Sequence, residues 1–255
     1  MDTESHLADP RTLKVENSQL REDYLKRLQY LGILGHELRT PVNYIVTGLN
    51  SLQGTPADRY TISKLTAKAT DLSRLLENLL LMARDASGNL TLNPTELNPY
   101  SLITDAIDSL EPMRPKSITL ELDIAENLPT LLADMILVQE ALINLIGNAY
   151  KFCRSTAKVA ITASQPPKTN AINIQISDDG IGMSQSQIQQ AIRPFGRAFS
   201  CLGSKQGTGI GLTVASNIAS MHGYPLKIHS DVGKGTIVTL SLPSTDHPVQ
   251  SIQKH

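Results

Sequence analysis

The 255-residue chain carries 23 Lys and Arg side chains against 24 Asp and Glu, so its formal net charge at pH 7 is −1. This balance gives neither a basic field for nucleic acid nor an acidic tail. Two cysteines, Cys153 and Cys201, are too few for a disulfide framework and lack metal-ligand spacing. Because the apolar runs are short, we expect no membrane span, no signal peptide and a cytoplasmic location.

The N-terminal third has the pattern of two long helices. Residues 1–23 form a polar tail and a lead-in compatible with an upstream sensor or membrane domain. From residue 24 to about 53, apolar residues recur in alternate steps of four and three, the spacing of a supercoiled bundle. Gly54-Thr55-Pro56 ends this helix, and the same spacing continues from Ile62 to about residue 88. The sequence therefore predicts an antiparallel helical hairpin.

Such a hairpin has more apolar surface than two helices can bury. Each stripe needs neighbours on more than one flank, and two copies of the hairpin would supply them as a four-helix bundle. We therefore predict a homodimer through residues 24–88, followed by a linker over residues 89–99.

A histidine and a glutamate stand at the edge of the first helical stripe. His36 follows Gly35 on the stripe, with Glu37 beside it and Thr40 one turn further on. An exposed imidazole next to a carboxylate is a candidate nucleophile, although most histidines on helices are ordinary surface or core residues. Pro41, which costs a helix interior about 3 kcal/mol, favours a functional reading of this stretch.

Beyond residue 99, helical and strand patterns alternate up to about residue 243. Helices grouped with a mixed sheet indicate a two-layer α/β sandwich of about 150 residues. The strand over 171–177 is the clearest, because Ile172, Ile174 and Ile176 alternate with polar residues. Helices are predicted over 100–110, 135–152 and 209–222, and strands over 117–124, 158–163, 171–177, 226–230 and 235–242. Residues 244–255 form a polar tail.

Three stretches of this domain carry polar groups suited to a ligand. Asn144, Asn148 and Lys151 share one helix face, where amide oxygens could reach a hard cation and an ammonium a phosphate. Asp178-Asp179-Gly180-Ile181-Gly182 follows a strand and could present a carboxylate to an amine. Gly203 to Leu212 is a glycine-rich loop entering a helix, typical of an anion site. A solvated helix face, a tight turn and a hinge are the respective alternatives.

The order and separation of the four stretches closely resemble the transmitter core of a bacterial sensor histidine kinase, over about residues 24–243. The resemblance implies an α+β fold. A helical-hairpin dimerisation and histidine-phosphotransfer domain at 24–88 would precede a sandwich of Bergerat/GHKL ATPase type at 100–243. It also implies an ATP-dependent protein-histidine kinase of a two-component system that uses Mg²⁺.

The resemblance further implies roles for single residues. His36 would be the phosphoacceptor that attacks the γ-phosphate of ATP, Glu37 would accept its proton, and Thr40 would help place water for dephosphorylating a partner. Asn148 would be the magnesium ligand. Residues implied in nucleotide binding are Asn144, Asn148, Lys151, Phe152, Asp178, Gly180, Gly182, Phe195, Arg197, Gly207, Thr208, Gly209, Gly211 and Leu212.

Three functional hypotheses follow. The first is a kinase that passes its phosphoryl group to an aspartate on a response regulator receiver domain. The second is an ATP-binding interaction module like gyrase and mismatch-repair ATPases, which lack the His36 stretch. The third is a weak kinase that acts chiefly as a phosphatase or scaffold. The sequence gives neither the stimulus nor the response regulator, and it leaves phosphorylation within or across the dimer open.

Overall fold

The computed structural model describes residue 35 and residues 38–52, 59–86, 91–153, 157–193 and 209–245. The chain divides into two units, Met1–Ser73 and Arg74–His255, and the division lies inside the second helix. The predicted domain over residues 24–88 and linker over residues 89–99 stay predictions.

The described part of the first unit contains one helix and the N-terminal part of a second. Helix α1 is described over residues 38–51 and continues through Pro41, and helix α2 spans Arg59–Ala86. A Cβ atom at Gly48 of α1 would overlap the side chain of Leu65 of α2, which is buried. The two helices therefore approach closely at Gly48, as a hairpin requires.

The predicted apolar stripes are only partly buried within one chain. Val42 and Leu49 on α1 and Ile62 and Leu76 on α2 lie on the stripes, and all four side chains are exposed. Two buried positions of α2, Leu75 and Asn78, lie off the predicted stripe. The stripes thus leave apolar surface uncovered on both helices.

The second unit is built on a five-stranded sheet with strand order β2-β4-β5-β7-β6. Strands β2 and β4 are parallel, and the other neighbouring pairs are antiparallel. A separate antiparallel pair joins β1 and β3. The strands are β1 Thr95–Leu97, β2 Ile118–Ile124, β3 Leu131–Ala133, β4 Ala157–Ser164, β5 Ala171–Asp178, β6 Lys227–Asp231 and β7 Gly235–Pro243.

Helices cover one face of this sheet. They are α3 Pro99–Leu110, α4 Met135–Phe152, the short α5 Gln185–Ala191 and α6 Gly211–Met221. Ile174 of β5 pairs with Leu240 of β7, Ile176 pairs with Ile161 of β4, and all are buried, whereas Gln175 between them is exposed. This alternation places the core between the sheet and the helices, so the predicted two-layer sandwich is confirmed.

The start of α4 and the end of α6 are tied together through a histidine. The Asp134 side chain caps α4 by accepting from the backbone N–H groups of Ile136 and Leu137. The backbone N–H of Asp134 donates to His222 Nε2 at 3.0 Å, so the proton lies on His222 Nδ1, which donates to Ile218 O. Burial lowers the pKa of His222, which favours this neutral tautomer.

Several elements differ from the predicted pattern. Strands β1 and β3 and helix α5 were not predicted, although Ser184 and Gln187 form a capping box at the start of α5. Strand β1 lies in the predicted linker. Ser244, placed in the polar tail, is buried and bridges to Leu131. Among the described residues, no helix is both long and apolar enough to cross a bilayer.

Candidate functional site

Helix α4 presents the row of polar side chains that the sequence singled out. Asn144 is buried, and Asn148, Lys151 and Phe152 are half-buried. The oxygen and the nitrogen of the Asn144 side-chain amide both have hydrogen-bond partners, whereas no hydrogen bond to another described residue engages the side chain of Asn148. The Lys151 ammonium lies 5.4 Å from the centroid of the Phe152 ring. An amide without a partner among the described residues, one turn from an ammonium on the same helix, can serve an oxygen-rich ligand.

Asp178 closes strand β5 with a half-buried carboxylate. Its Oδ1 accepts from the Gly180 backbone N–H at 2.9 Å, and the backbone N–H of Thr236 also donates to the carboxylate. Burial raises the pKa of Asp178, and these two hydrogen bonds oppose the rise. When ionised, this group only accepts hydrogen bonds, so it suits a ligand that donates an N–H.

The loop from Asp178 to Gly182 rests against the end of α4. The backbone N–H of Ile181 donates to Phe152 O at 3.3 Å. A Cβ atom at Gly180 would lie 2.5 Å from that carbonyl and 2.5 Å from Asp178 Oδ1. Glycine is therefore needed at position 180, and the loop and α4 form one continuous surface.

The turn between β6 and β7 supports the same loop from behind. Gly182 has φ of +62°, and a Cβ atom there would overlap the carbonyl oxygen of Asp231. The backbone N–H of Gly233 donates to Ile181 O at 2.7 Å. Both the backbone conformation and the close approach thus require glycine at position 182.

Ser230 is a residue of this site that the sequence did not single out. Its hydroxyl accepts from the Met183 backbone N–H at 2.7 Å, donates to Gly235 O at 2.9 Å and lies 2.9 Å from Thr236 Oγ1. Ser230 therefore joins the loop after Asp178 to the strand that supports the Asp178 carboxylate. A lone serine in a strand carries no sequence signal for such a role.

The end of the glycine-rich loop lies beside α4. Gly209 has φ of +69°, and Gly211 is the first residue of α6. A Cβ atom at Gly211 would come 2.7 Å from Asn144 Oδ1, so glycine lets the start of α6 pack against that amide. Leu212 is half-buried in the first turn of α6. The N-terminal end of α6 thus adjoins the polar row of α4, where backbone N–H groups favour an anion.

Some predicted site residues are not part of this cluster. His36, Glu37, Phe195, Arg197, Gly207 and Thr208 lie outside the described residues. Thr40 belongs to the first unit and is exposed on α1. In the parts of the chain that the structure describes, no group of three or more His, Cys, Asp or Glu side chains could hold a metal. A cation at this site would therefore depend on amide, ligand and water oxygens.

Asp178, Asn148, Lys151 and the start of α6 form a cluster along one surface, in which one end accepts hydrogen bonds and the other binds anions. A half-buried carboxylate that accepts N–H donors lies at one end, and an amide, an ammonium and the N-terminus of α6 lie further along α4. Such a site fits a ligand with an amine at one end and a polyphosphate at the other.

Comparison with known proteins agrees with this reading of the surface. Residues 133–246 match the profile of the family described as "Histidine kinase-, DNA gyrase B-, and HSP90-like ATPase". The matched segment starts directly before α4 and ends after β7, so it contains the described cluster.

The similar proteins are mainly histidine kinases. The chain is 30% identical over 226 residues to the "Non-motile and phage-resistance protein" of Caulobacter vibrioides. This alignment covers 84% of the chain and 27% of that protein. The chain is 29% identical over 231 residues to an uncharacterized sensor-like histidine kinase of Rhizobium meliloti, covering 86% and 43%. The chain therefore spans less than half the length of these relatives.

Solved structures share the fold. The Acinetobacter baumannii histidine kinase AdeS aligns with a TM-score of 0.63 at 20% identity, covering 83% of this chain and 98% of that one. Histidine kinase ThkA, solved in complex with the response regulator protein TrrA, aligns with a TM-score of 0.61 at 20% identity, covering 96% of this chain and 68% of that one. Together with the family profile and the similar kinases above, the shared fold confirms the predicted resemblance to a histidine kinase transmitter core.

Proposed function

We propose that the chain is the transmitter core of an ATP-dependent protein-histidine kinase, because residues 133–246 match the histidine kinase-, DNA gyrase B- and HSP90-like ATPase profile. It would phosphorylate its own His36 and pass the phosphoryl group to an aspartate of a response regulator. One observation carries the proposal: the Asp178 carboxylate and the polar row of α4 adjoin one another in a chain that also has His36 beside Glu37.

Different described residues would bind different parts of the nucleotide. Asp178 accepts the amino group of adenine, and Gly180 and Gly182 let the purine approach the backbone. Lys151 and the N-terminal turn of α6, which Gly209 and Gly211 begin, bind the phosphates. Asn148, whose side chain has no described partner, fits Mg²⁺ through its amide oxygen. When bound, Mg²⁺ neutralises charge on the phosphate oxygens.

His36 and Glu37 supply the acceptor for the phosphoryl group. A neutral imidazole, with an ordinary pKa of about 6.5, is nucleophilic near pH 7. A bond forms between an imidazole nitrogen and the γ-phosphorus, the bond from that phosphorus to the bridging oxygen breaks, and ADP leaves with that electron pair. Glu37 accepts the proton that the imidazole loses as charge develops.

The second substrate would be a receiver domain, because ThkA is a histidine kinase solved with a response regulator protein. Thr40, exposed on α1 four residues after His36, stands where it could orient water against a phosphorylated receiver. Phosphatase activity is therefore part of the proposal. We place the protein in the cytoplasm, where its two cysteines would stay reduced.

The uncovered stripes of α1 and α2 support a homodimer through residues 24–88. Exposed Val42, Leu49 and Ile62 lie on these stripes, and a second hairpin would bury them as a four-helix bundle. Light scattering of the full chain should give twice the mass of one chain. Replacing Leu49 with Lys should shift it toward the monomer, and a monomeric wild type would contradict the proposal.

Labelling tests the kinase directly. With γ-labelled ATP and Mg²⁺, the wild type should acquire a label that is stable in alkali and lost in acid, as expected for phosphohistidine. His36→Ala should remove the label, because the attacking nitrogen is absent. His229→Ala is the matched control, since His229 is exposed on β6 and should leave labelling unchanged.

Two outcomes would point elsewhere. A label that survives His36→Ala would refute the assignment of the phosphoacceptor. Binding of ATP without any label in the wild type would favour an interaction module of the wider ATPase superfamily. Binding of an ATP analogue should therefore be measured in parallel for each variant.

A further inference from the structure

Two asparagines form a reciprocal pair inside the second unit. Asn78 Nδ2 donates to Asn144 Oδ1 at 3.3 Å, and Asn144 Nδ2 donates to Asn78 Oδ1 at 3.2 Å. Both side chains are buried, with exposed fractions of 4% and 8%. Asn78 lies in the part of α2 that belongs to this unit, and Asn144 lies on α4. Buried amides require such partners, so each asparagine holds the other.

The amide of Asn144 is fully engaged in this arrangement. Besides Asn78, its Nδ2 has acceptors in Glu140 O and Glu140 Oε1, each at 3.0 Å. Its Oδ1 has the donor from Asn78. Burial raises the pKa of the Glu140 carboxylate, and on α2 the charge of Arg74 lowers this pKa while that of Glu77 raises it. The amide of Asn144 is therefore hydrogen-bonded to α2 and to its own helix, α4.

Asn144 nevertheless belongs to the polar row of α4 and lies beside the start of α6. Its Oδ1 would lie 2.7 Å from a Cβ atom at Gly211, the first residue of α6. Asn148, one turn further along α4, has no such engagement with another described residue. If both asparagines serve the nucleotide, only Asn144 must first give up hydrogen bonds. The nucleotide and α2 then require the same amide atoms.

We propose that Asn78 competes with the nucleotide for Asn144. Without nucleotide, the amide pair holds Asn144 against α2, and nucleotide binding exchanges the pair for contacts to the ligand. The inference rests on the proposed nucleotide site. By linkage, nucleotide loosens the attachment of this part of α2 to α4, and a tighter attachment weakens nucleotide binding. Asn78 is a positioning residue, because it acts through Asn144.

A double-mutant cycle on the full chain tests the competition. The probe is a non-hydrolysable ATP analogue with Mg²⁺, measured by calorimetry. Asn78→Ala should tighten binding about three- to tenfold, the effect of one net hydrogen bond removed from the free state. In an Asn144→Ala background, the same substitution should change the affinity less than twofold. Thr70→Ala, at an exposed position of α2, is the control and should also stay within twofold.

A second readout does not depend on affinity. The side-chain amide signal of Asn78, followed by ¹⁵N NMR, should shift when the analogue saturates the wild type, because its partner is withdrawn. Circular dichroism would establish that the variants fold, and Asn78→Ser replaces Asn78→Ala if the latter does not.

If the wild type binds the analogue, any one of three results would contradict this inference without contradicting the nucleotide site. They are an Asn78 signal that does not move on saturation, weaker binding by Asn78→Ala, and an effect of equal size in the Asn144→Ala background. Failure of the wild type to bind the analogue would contradict the nucleotide site itself, and this inference with it.

Discussion

Asn in place of Asp178 is expected to weaken binding of the ATP analogue by about 10- to 150-fold, the equivalent of one hydrogen bond to a charged group. The substitution keeps an acceptor for the backbone N–H of Gly180 but turns an NH₂ group or a neutral oxygen toward the adenine amine. Calorimetric titration at pH 7 measures the loss.

The stability of the Asp178→Asn variant should change little. A neutral amide avoids the cost of burying the carboxylate, which raises the pKa of Asp178, but it is a weaker acceptor for the backbone N–H groups of Gly180 and Thr236. The same raised pKa means that binding by the wild type should decline as the pH falls toward that value, above the ordinary 3.8 of an aspartate. The variant should lack this decline.

Asp179→Asn is the matched control for Asp178. Asp179 is exposed, and its Oδ1 accepts from the backbone N–H of Lys158 on the neighbouring strand. Nucleotide affinity should change less than twofold in this variant. Equal losses in the two variants would mean that general charge, not an acceptor for adenine, explains the effect.

Gly182→Ala is expected to lower the free energy of unfolding by about 2–6 kcal/mol, as the sum of backbone strain and steric overlap. The strain arises because φ is +62°, and the overlap arises because a methyl group would meet the carbonyl oxygen of Asp231. Relief would require the Asp178 loop to leave the β6–β7 turn, so nucleotide binding should be lost as well. Urea denaturation gives the stability.

Gly147→Ala, in the same domain, is expected to raise the stability that Gly182→Ala lowers. Gly147 lies within α4, and a Cβ atom there would have no heavy atom within 4 Å. Removing the flexibility of a helical glycine should stabilise the domain by about 0.5–1 kcal/mol. If Gly147→Ala and Gly182→Ala lowered stability equally, the close packing inferred behind the Asp178 loop would be wrong.

Much of the fold could be predicted because its elements have strong periodic patterns. The bounds of α4 were predicted at Met135 and Phe152, where the structure has them. The alternation of Ile172, Ile174 and Ile176 identified β5, since only one face of that strand is buried. Strands β1 and β3 have three residues each, too few to show a period, and they form by pairing with partners distant in the sequence.

The site was predictable where backbone chemistry is local. Gly180 and Gly182 after Asp178, and Gly209 and Gly211 at the start of α6, mark positions that need positive φ or close approach, which a sequence can indicate. Ser230 and Asn78 act through partners 47 and 66 residues away, Met183 and Asn144. Such pairings exist only after the sheet and helices have assembled, so no local pattern reports them.

The strand order also bears on how the site forms during synthesis. Strand β7, the last strand of the described sheet, lies between β5 and β6 and pairs with Asp178 through Thr236. Until β7 leaves the ribosome, one edge of β5 lacks its neighbour, and the Asp178 loop lacks the turn that supports it. A nascent chain that ends before residue 235 should therefore expose an unpaired edge and have no nucleotide site, however complete its helices are.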